Sequence, residues 1–339
     1  MLKGLMLGLA VMVLGGDPWV VYPGQGADKA GAGKKIVLVS GDEEYRSEEA
    51  LPQLGRMLAR HHGFQCVVLF AIDPKTGEIN PNVNNNIPGL ENLADADLMI
   101  IATRFRDLPP QQMAHIDAFL KLGKPVIGLR TATHAFNMGK DHPYARYGNG
   151  YNGPDKAWAD GGFGRMVLGE KWISHHGDHG SQATRGRTAP GADEHPILIG
   201  IKDGAVFGPT DVYGVRLPLP GDSRPLLLGE VVAGMKAGDP PLAGKRNEPM
   251  MPVAWSKTYQ APGGTAKGRV FNTTMGASQD MENEAFRRLL VNATYWAVGL
   301  EGKITPAAEV EIVGKFKPTR FSFNGYTKGV KPADLAGWE

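Results

Sequence analysis

Apolar runs alternate with polar loops and with helix-spaced stripes along the first third of the chain. Lys34-Lys-Ile-Val-Leu-Val-Ser-Gly41 is a short, continuous apolar run of the kind that forms a buried strand. A polar loop, Asp42 to Arg46, follows it. Ser47, then Glu48 and Glu49, reads as a helix start, with a capping hydroxyl ahead of acids in the first turn. Leu51, Leu54 and Leu58 make the apolar stripe of that helix, and Gly63 ends it. Phe64 to Phe70 is a second strand, so this β-α-β unit implies a right-handed crossover and a parallel sheet. Asp73 to Pro88, rich in asparagine, reads as a surface loop. Asp97-Leu-Met-Ile-Ile-Ala102 is a third strand, ending in Thr103-Arg-Phe-Arg-Asp107. Pro109 and Pro110 open the next helix, with Met113, Ile116 and Leu120 inward, and Gly123 closes it.

The next segment, Gly123 to Phe136, organises the rest. Val126, Ile127 and Leu129 form a buried strand, and Thr131, Thr133 and His134 sit just past its carboxyl end. In open α/β sheets ligands bind at that end. A nucleophile elbow would place its reactive side chain in this turn, in a G-x-S-x-G or G-x-C-x-G frame. Here the frame reads Gly128-Leu-Arg-Thr-Ala132, with Arg130 in the nucleophile slot.

From Gly139 to Gly191 the periodicity disappears, and glycines, histidines and aromatics dominate, among them Tyr144, Tyr147, Tyr151, Trp158 and Trp172. A connection this long inside a compact domain is usually functional, and its aromatic content argues against disorder. Ile197–Ile201, Pro225–Val232, Pro252–Ser256 and Arg269–Thr274 read as further strands extending the sheet, partly antiparallel. Glu282 to Val298 reads as a last amphipathic helix, with Phe286, Leu289, Leu290, Ala293 and Trp296 on one stripe. The expected fold is α/β: a flavodoxin-like, doubly wound, mostly parallel sheet with a long His- and aromatic-rich insertion over the strand ends. One domain spans 34–299, and 300–339 is an irregular tail packed on its outside.

Composition narrows the function. The 339 residues carry a net charge of +2, which makes no electrostatic case for nucleic acid. The single cysteine, Cys66, lies in an apolar run and reads as a core thiol, and one cysteine excludes an intramolecular disulfide. Lys3, the apolar run Leu5 to Leu14 and the small residues through Gly33 read as a signal peptide and a flexible mature start, 1–33. The mature protein is therefore expected to be exported to the periplasm or beyond and not membrane-embedded. No G-x-G-x-x-G follows the first strand, so no nucleotide cofactor is expected.

Three sets of residues carry candidate chemistry. Arg46, Arg104, Arg106 and Arg130 all sit at or near strand ends, where guanidinium groups suit carboxylate, phosphate or polyol oxygens. The plainer reading is local pairing with Glu43, Glu44, Glu48 or Asp107, and for Arg46 it is the better one. His142, His175, His176 and His179 lie in the insertion. His175 and His179 with Asp178 are suitable ligands for zinc or a similar divalent ion, although the spacing matches no closed zinc pattern. The same histidines also read as loop hydrogen-bonders or as general acids and bases. Glu44 is the preferred carboxylate of the Asp42–Glu44 loop. Ser278 and Asp280 read as caps of the last helix.

Gly41-Asp-Glu-Glu-Tyr-Arg-Ser-Glu-Glu49, Arg104-Phe-Arg-Asp-Leu-Pro109, Gly128-Leu-Arg-Thr-Ala-Thr-His-Ala-Phe136 and Thr274-Met-Gly-Ala-Ser-Gln-Asp280 resemble the ThuA-like, trehalose-utilisation family, and most of all its exported, planctomycete-type branch. The resemblance runs from about Lys34 to Gly299. It implies a class I glutamine amidotransferase-like fold without the amidotransferase cysteine, and a link to disaccharide use. Many members carry Gly-x-His at the elbow. This chain has Gly128-Leu-Arg130 instead, with its histidine at His134.

Residues and resemblance together give a leading expectation of an exported protein that processes a sugar or sugar derivative. Arg104, Arg106, Arg130 and Thr131 would hold substrate oxygens, and Tyr151, Trp158 and Tyr147 would stack on the ring. His134, His175, His176, His179 or Glu44 would move protons. Two other readings stay open: a non-catalytic carbohydrate-binding protein, and a metal-dependent hydrolase built on the His175–His179 loop.

Overall fold

The computed structural model describes residues 16–339. The apolar run Leu5 to Leu14 lies outside them. Strand β1 is Trp19–Tyr22, β2 is Lys35–Gly41 and β3 is Gln65–Leu69, with helix α1, Ser47–His62, between the last two. Next come β4 (Leu98–Thr103), α2 (Pro110–Lys121) and β5 (Val126–Leu129). The insertion holds β6 (Ser174–His175) and β7 (Thr184–Thr188), and β8 (Val206–Gly208) and β9 (Tyr213–Gly214) follow it. The chain then forms β10 (Arg224–Val231), β11 (Met251–Gln260), β12 (Lys267–Thr273) and α3 (Glu284–Ala297).

One ten-stranded sheet runs in the order β1-β3-β2-β4-β5-β12-β11-β10-β7-β8, and β6 pairs with β9 apart from it. The strands β3, β2, β4, β5 and β12 pair in parallel. Every other pairing is antiparallel. The sheet is therefore mixed rather than mostly parallel. Its second half is joined by connections without crossover helices, which allow antiparallel neighbours. Side chains of β2 divide by the strand period of two. Ile36 and Leu38 join the core under α1 and α3, and Val37 and Val39 join the core under α2. Both faces of the parallel half are thus covered, as continuous apolar strands require.

The structure corrects several local expectations. Residues 19–33 are not the flexible start expected: β1 pairs with β3, and Gln25 and Gly31 donate backbone hydrogen bonds to Ala59 and His62. Ser47 does not cap α1. The cap position is Arg46, in a left-handed conformation, while the Ser47 hydroxyl bonds Ser40 Oγ and accepts from the Asp42 amide. Asn283, not Ser278 or Asp280, caps α3 through the Phe286 amide. Asp280 instead accepts from the amides of Gly276 and Ala277 and from Thr210 Oγ1. Ile197–Ile201 opens as a single helical turn, Pro196–Leu198, rather than a strand. Cys66 is buried in β3, as expected of a core thiol.

Candidate functional site

The carboxyl ends of the parallel strands carry unusual backbone. Arg46, Phe105 and Arg130 have φ of 61°, 47° and 44°, values that non-glycine residues adopt only at a cost. All three follow parallel strands. Beside them, a Cβ at Gly128 would press on the side-chain ends of the buried Asn272 and Leu168, which glycine leaves in place. Arg130 thus sits at a genuine elbow, held by its own amide donating to Met275 O at 3.0 Å.

The Arg130 side chain does not face a ligand space. It is fully buried and donates to Asp211 O, Thr274 O and Asp211 Oδ1, each at 2.7 Å, and to Tyr45 Oη at 3.0 Å. The rings of Tyr45 and Tyr213 lie 4.3 and 3.7 Å from its guanidinium carbon. Arg106 is likewise internal, pairing with Glu43 and donating to the carbonyls of Arg104, Pro81 and Val83. Thr131 is buried and donates to Asp42 Oδ2 at 2.7 Å. Asp42 Oδ1 in turn accepts from the amides of Glu44 and Tyr45, so Thr131 fixes the loop that carries Glu44. These three residues build the site's frame; the expected contact with substrate oxygens is corrected accordingly. Of the arginines named from sequence, Arg104 lines the cavity, paired with Glu43 and 3.6 Å from Glu44 Oε2.

The insertion supplies the opposite wall. Pairing of β6 with β9 sets His175 opposite Tyr213, close to Asp211. His175 Nδ1 lies 2.7 Å from Asp211 Oδ2, and His179 Nδ1 lies 3.0 Å from Asp211 Oδ1. The other ring nitrogen of His179, Nε2, is 3.2 Å from Glu44 Oε1. Burial opposes ionisation of Asp211, but Arg130 and the hydrogen bonds from His175 and His179 outweigh it and hold the carboxyl well below the usual range. Burial pushes Glu44 the other way, above the usual carboxylate value, with Asp42 adding to the effect. His176 turns away to hydrogen-bond Arg246 O at 2.7 Å. Asp178 is exposed and ion-paired to Arg246.

These groups surround a cavity of about 740 Å³. Phe105, Trp172 and Tyr213 give it aromatic walls, and the C-terminal tail closes one side with Arg320, Phe321 and Phe323. His134, 3% exposed, stands against Phe105 and Trp172 with ring centroids 4.8 and 5.7 Å away. Burial first, then the charges of Arg104 and Arg130, push its pKa well down, so it is a neutral imidazole.

A family model described as trehalose utilisation, ThuA, matches residues 35–297. The chain belongs to the ThuA family. Membership connects it with sugar-related metabolism. It is similar to the crystal structure of a ThuA-like protein from Parabacteroides merdae at 16% identity, with a TM-score of 0.45, over 86% of this chain and 97% of that one. It is also similar to a cytoplasmic protein from Salmonella typhimurium at 13% identity, with a TM-score of 0.40, over 78% and 98% of the two chains. No curated protein matches it.

In this ThuA chain two aromatic expectations fall elsewhere. Tyr151 lines a separate cavity with Asn137, His142 and Arg146. Trp158 is buried against the rings and guanidinium of Tyr147 and Arg146. Tyr147 itself is buried, bonding Asp117 at 2.6 Å. Sequence reading missed Asp211, Tyr213, Arg320, Phe321 and Phe323. The pair Asp211 and Tyr213 lies in Thr210-Asp-Val-Tyr-Gly214, a short polar and aromatic alternation that was the one available signal.

Proposed function

We propose that the cleft over the strand ends binds a sugar or sugar derivative and acts on it by proton transfer. One observation carries the reading: a cavity of ligand size in which aromatic faces surround a few convergent polar groups. Trp172 and Phe323 offer faces to the apolar side of a sugar ring, and Arg104 offers donors to its hydroxyl or carboxylate oxygens. Glu44, its pKa raised by burial and by Asp42, is placed to act as a general acid or base. His134, kept neutral, both accepts and donates hydrogen bonds. These two groups favour a catalyst over a binding module, which would need only the arginine and the aromatic rings.

Calorimetric titration with trehalose, other disaccharides, monosaccharides and their keto and acid derivatives tests the proposal. Saturable binding to at least one, weakened about ten-fold or more in Trp172→Ala, is expected. No binding across the panel overturns it. Turnover of a bound sugar that Glu44→Gln abolishes without loss of affinity separates the enzyme from the binding protein.

A further inference from the structure

His179 stands between two carboxylates at the polar centre of the cleft, with Nε2 3.2 Å from Glu44 Oε1 and Nδ1 3.0 Å from Asp211 Oδ1. Tyr45 Oη also lies 3.4 Å from Nδ1. His175 Nδ1 is 2.7 Å from the other oxygen of Asp211. Two imidazole nitrogens thus converge on one buried carboxylate at the edge of a cavity.

We propose that this position is a divalent transition-metal site, with His175 Nδ1, His179 Nδ1 and the Asp211 carboxylate as its ligands. One ligand atom from each lies within 4.8 Å of the others. An ion about 2 Å from each ligand holds them about 3–4 Å apart, a spacing that small rotations of two ring side chains reach. The rings can move, since His175 and His179 are 38% and 35% exposed. Asp211 is the fixed member: it is buried, and Arg130 holds Oδ1 at 2.7 Å, leaving Oδ2 toward the ion.

The surroundings match what metal sites have around their ligands. A ligating histidine commonly gives its second nitrogen to a carboxylate, and Glu44 stands there for His179. A ligating carboxylate is commonly braced by another donor, and Arg130 does so for Asp211. Two imidazoles and one carboxylate fill one side of an ion, and the other side opens on the cavity, where water or a sugar oxygen completes the coordination. Asp178, the carboxylate suggested by sequence spacing, is replaced by Asp211, which is 32 residues from His179 in the chain. The inference deepens the proposed function by adding an ion to the same cleft, but it stands or falls on metal binding alone.

The test uses the protein purified, stripped with a chelator and titrated calorimetrically with ZnCl2, with Co(II) absorption as a second readout. One equivalent per chain is expected. His175→Ala and His179→Ala should each weaken binding about 100-fold or more, and Glu44→Gln about 10–100-fold. Asp178→Asn should bind as the native protein does. Both histidines are at the surface, so these variants keep the fold, as circular dichroism will show. No stoichiometric binding, or binding that survives both histidine substitutions, overturns the site. Sugar titrations of the stripped and the zinc-loaded protein separate the two claims: sugar binding without metal binding refutes the ion alone, and metal binding without sugar binding refutes the sugar reading alone.

Discussion

The two walls of the cleft are built on opposite plans. The wall formed by the parallel strands is buried and paired: Arg106, Arg130 and Thr131 are nearly inaccessible, and the hydrogen bonds they donate go to the protein. The wall formed by the insertion and the C-terminal tail is exposed, with His175, His179, Arg320 and Phe323 open to the cavity or to solvent. The tail is tied across the cleft at several points. Ser322 donates its amide to Glu44 O and accepts from Arg46 at its carbonyl, Arg320 donates to Gly180 O, and Thr319 bonds Glu49. The difference teaches that charge at a strand end marks the site without naming the residues that meet the ligand. The first wall holds geometry, and the second makes contact.

If that division holds, breaking the buried wall should cost stability first. Arg130→Ala leaves Asp211 buried with its main counter-charge gone and empties the space between Tyr45 and Tyr213. Removing one partner of such a pair costs about 3–5 kcal/mol, and urea denaturation should show a loss of that size. A loss below about 1 kcal/mol would mean that Arg130 is not a frame residue.

The same buried side of the molecule contains a charge that is poorly served. Among the described residues, Glu48, in the first turn of α1, has no hydrogen-bond partner at either carboxylate oxygen, and Arg46 Nε is 3.6 Å away. Burial pushes its pKa up to about 8, with Arg46 opposing. The unfolded chain ionises this carboxyl near pH 4.3, whereas the fold keeps it neutral until about pH 8. The advantage of the neutral carboxyl is therefore whole below about pH 4.3 and is gone once the pH passes 8. Glu48→Gln should remove this slope and be more stable than the native protein at pH 9 by roughly 2–4 kcal/mol. Parallel stability curves for the two proteins between pH 5 and 9 would contradict the assignment.

How much of this was legible follows from the range of the interactions. β2, β3, β4, β5, α1 and α2 were readable because each is fixed by local apolar periodicity and by Gly63, Gly123 and Pro110 at its ends. The elbow was readable as a frame, since Gly128 and Arg130 sit in a recognisable turn. The role of Arg130 was not, because its partners Asp211 and Thr274 are 81 and 144 residues away in the chain. Asp211 was invisible for the same reason: its meaning comes from the pairing of β6 with β9, two strands of two residues each. The tail was expected outside the domain because it has no periodicity. Its course is set instead by single hydrogen bonds to Glu44, Arg46 and Glu49.

Disturbing the exposed wall should do the reverse of Arg130→Ala. Phe323, 53% exposed and 5.0 Å from the Arg104 guanidinium, buries little in the free protein and faces the cavity. Phe323→Ala should leave urea stability within about 0.5 kcal/mol of native. It should weaken sugar binding by about 1–2 kcal/mol, or roughly ten-fold, in the calorimeter. A variant that loses stability and keeps affinity would reverse the roles assigned to the walls.

The smallest effect is the sharpest control on the comparison. Tyr151 belongs to the same insertion as His175 and His179 and has the aromatic character expected of a sugar platform, but it lines a different cavity. Its hydroxyl accepts from the local amide of Asp155. If contact with ligand is decided by position on the second wall rather than by aromatic content of the insertion, Tyr151→Ala should change sugar affinity by less than two-fold while Trp172→Ala changes it about ten-fold. Equal losses in the two variants would show that the ligand reaches beyond the cleft into the cavity beside Arg146, and the boundary drawn between the two cavities would have to move.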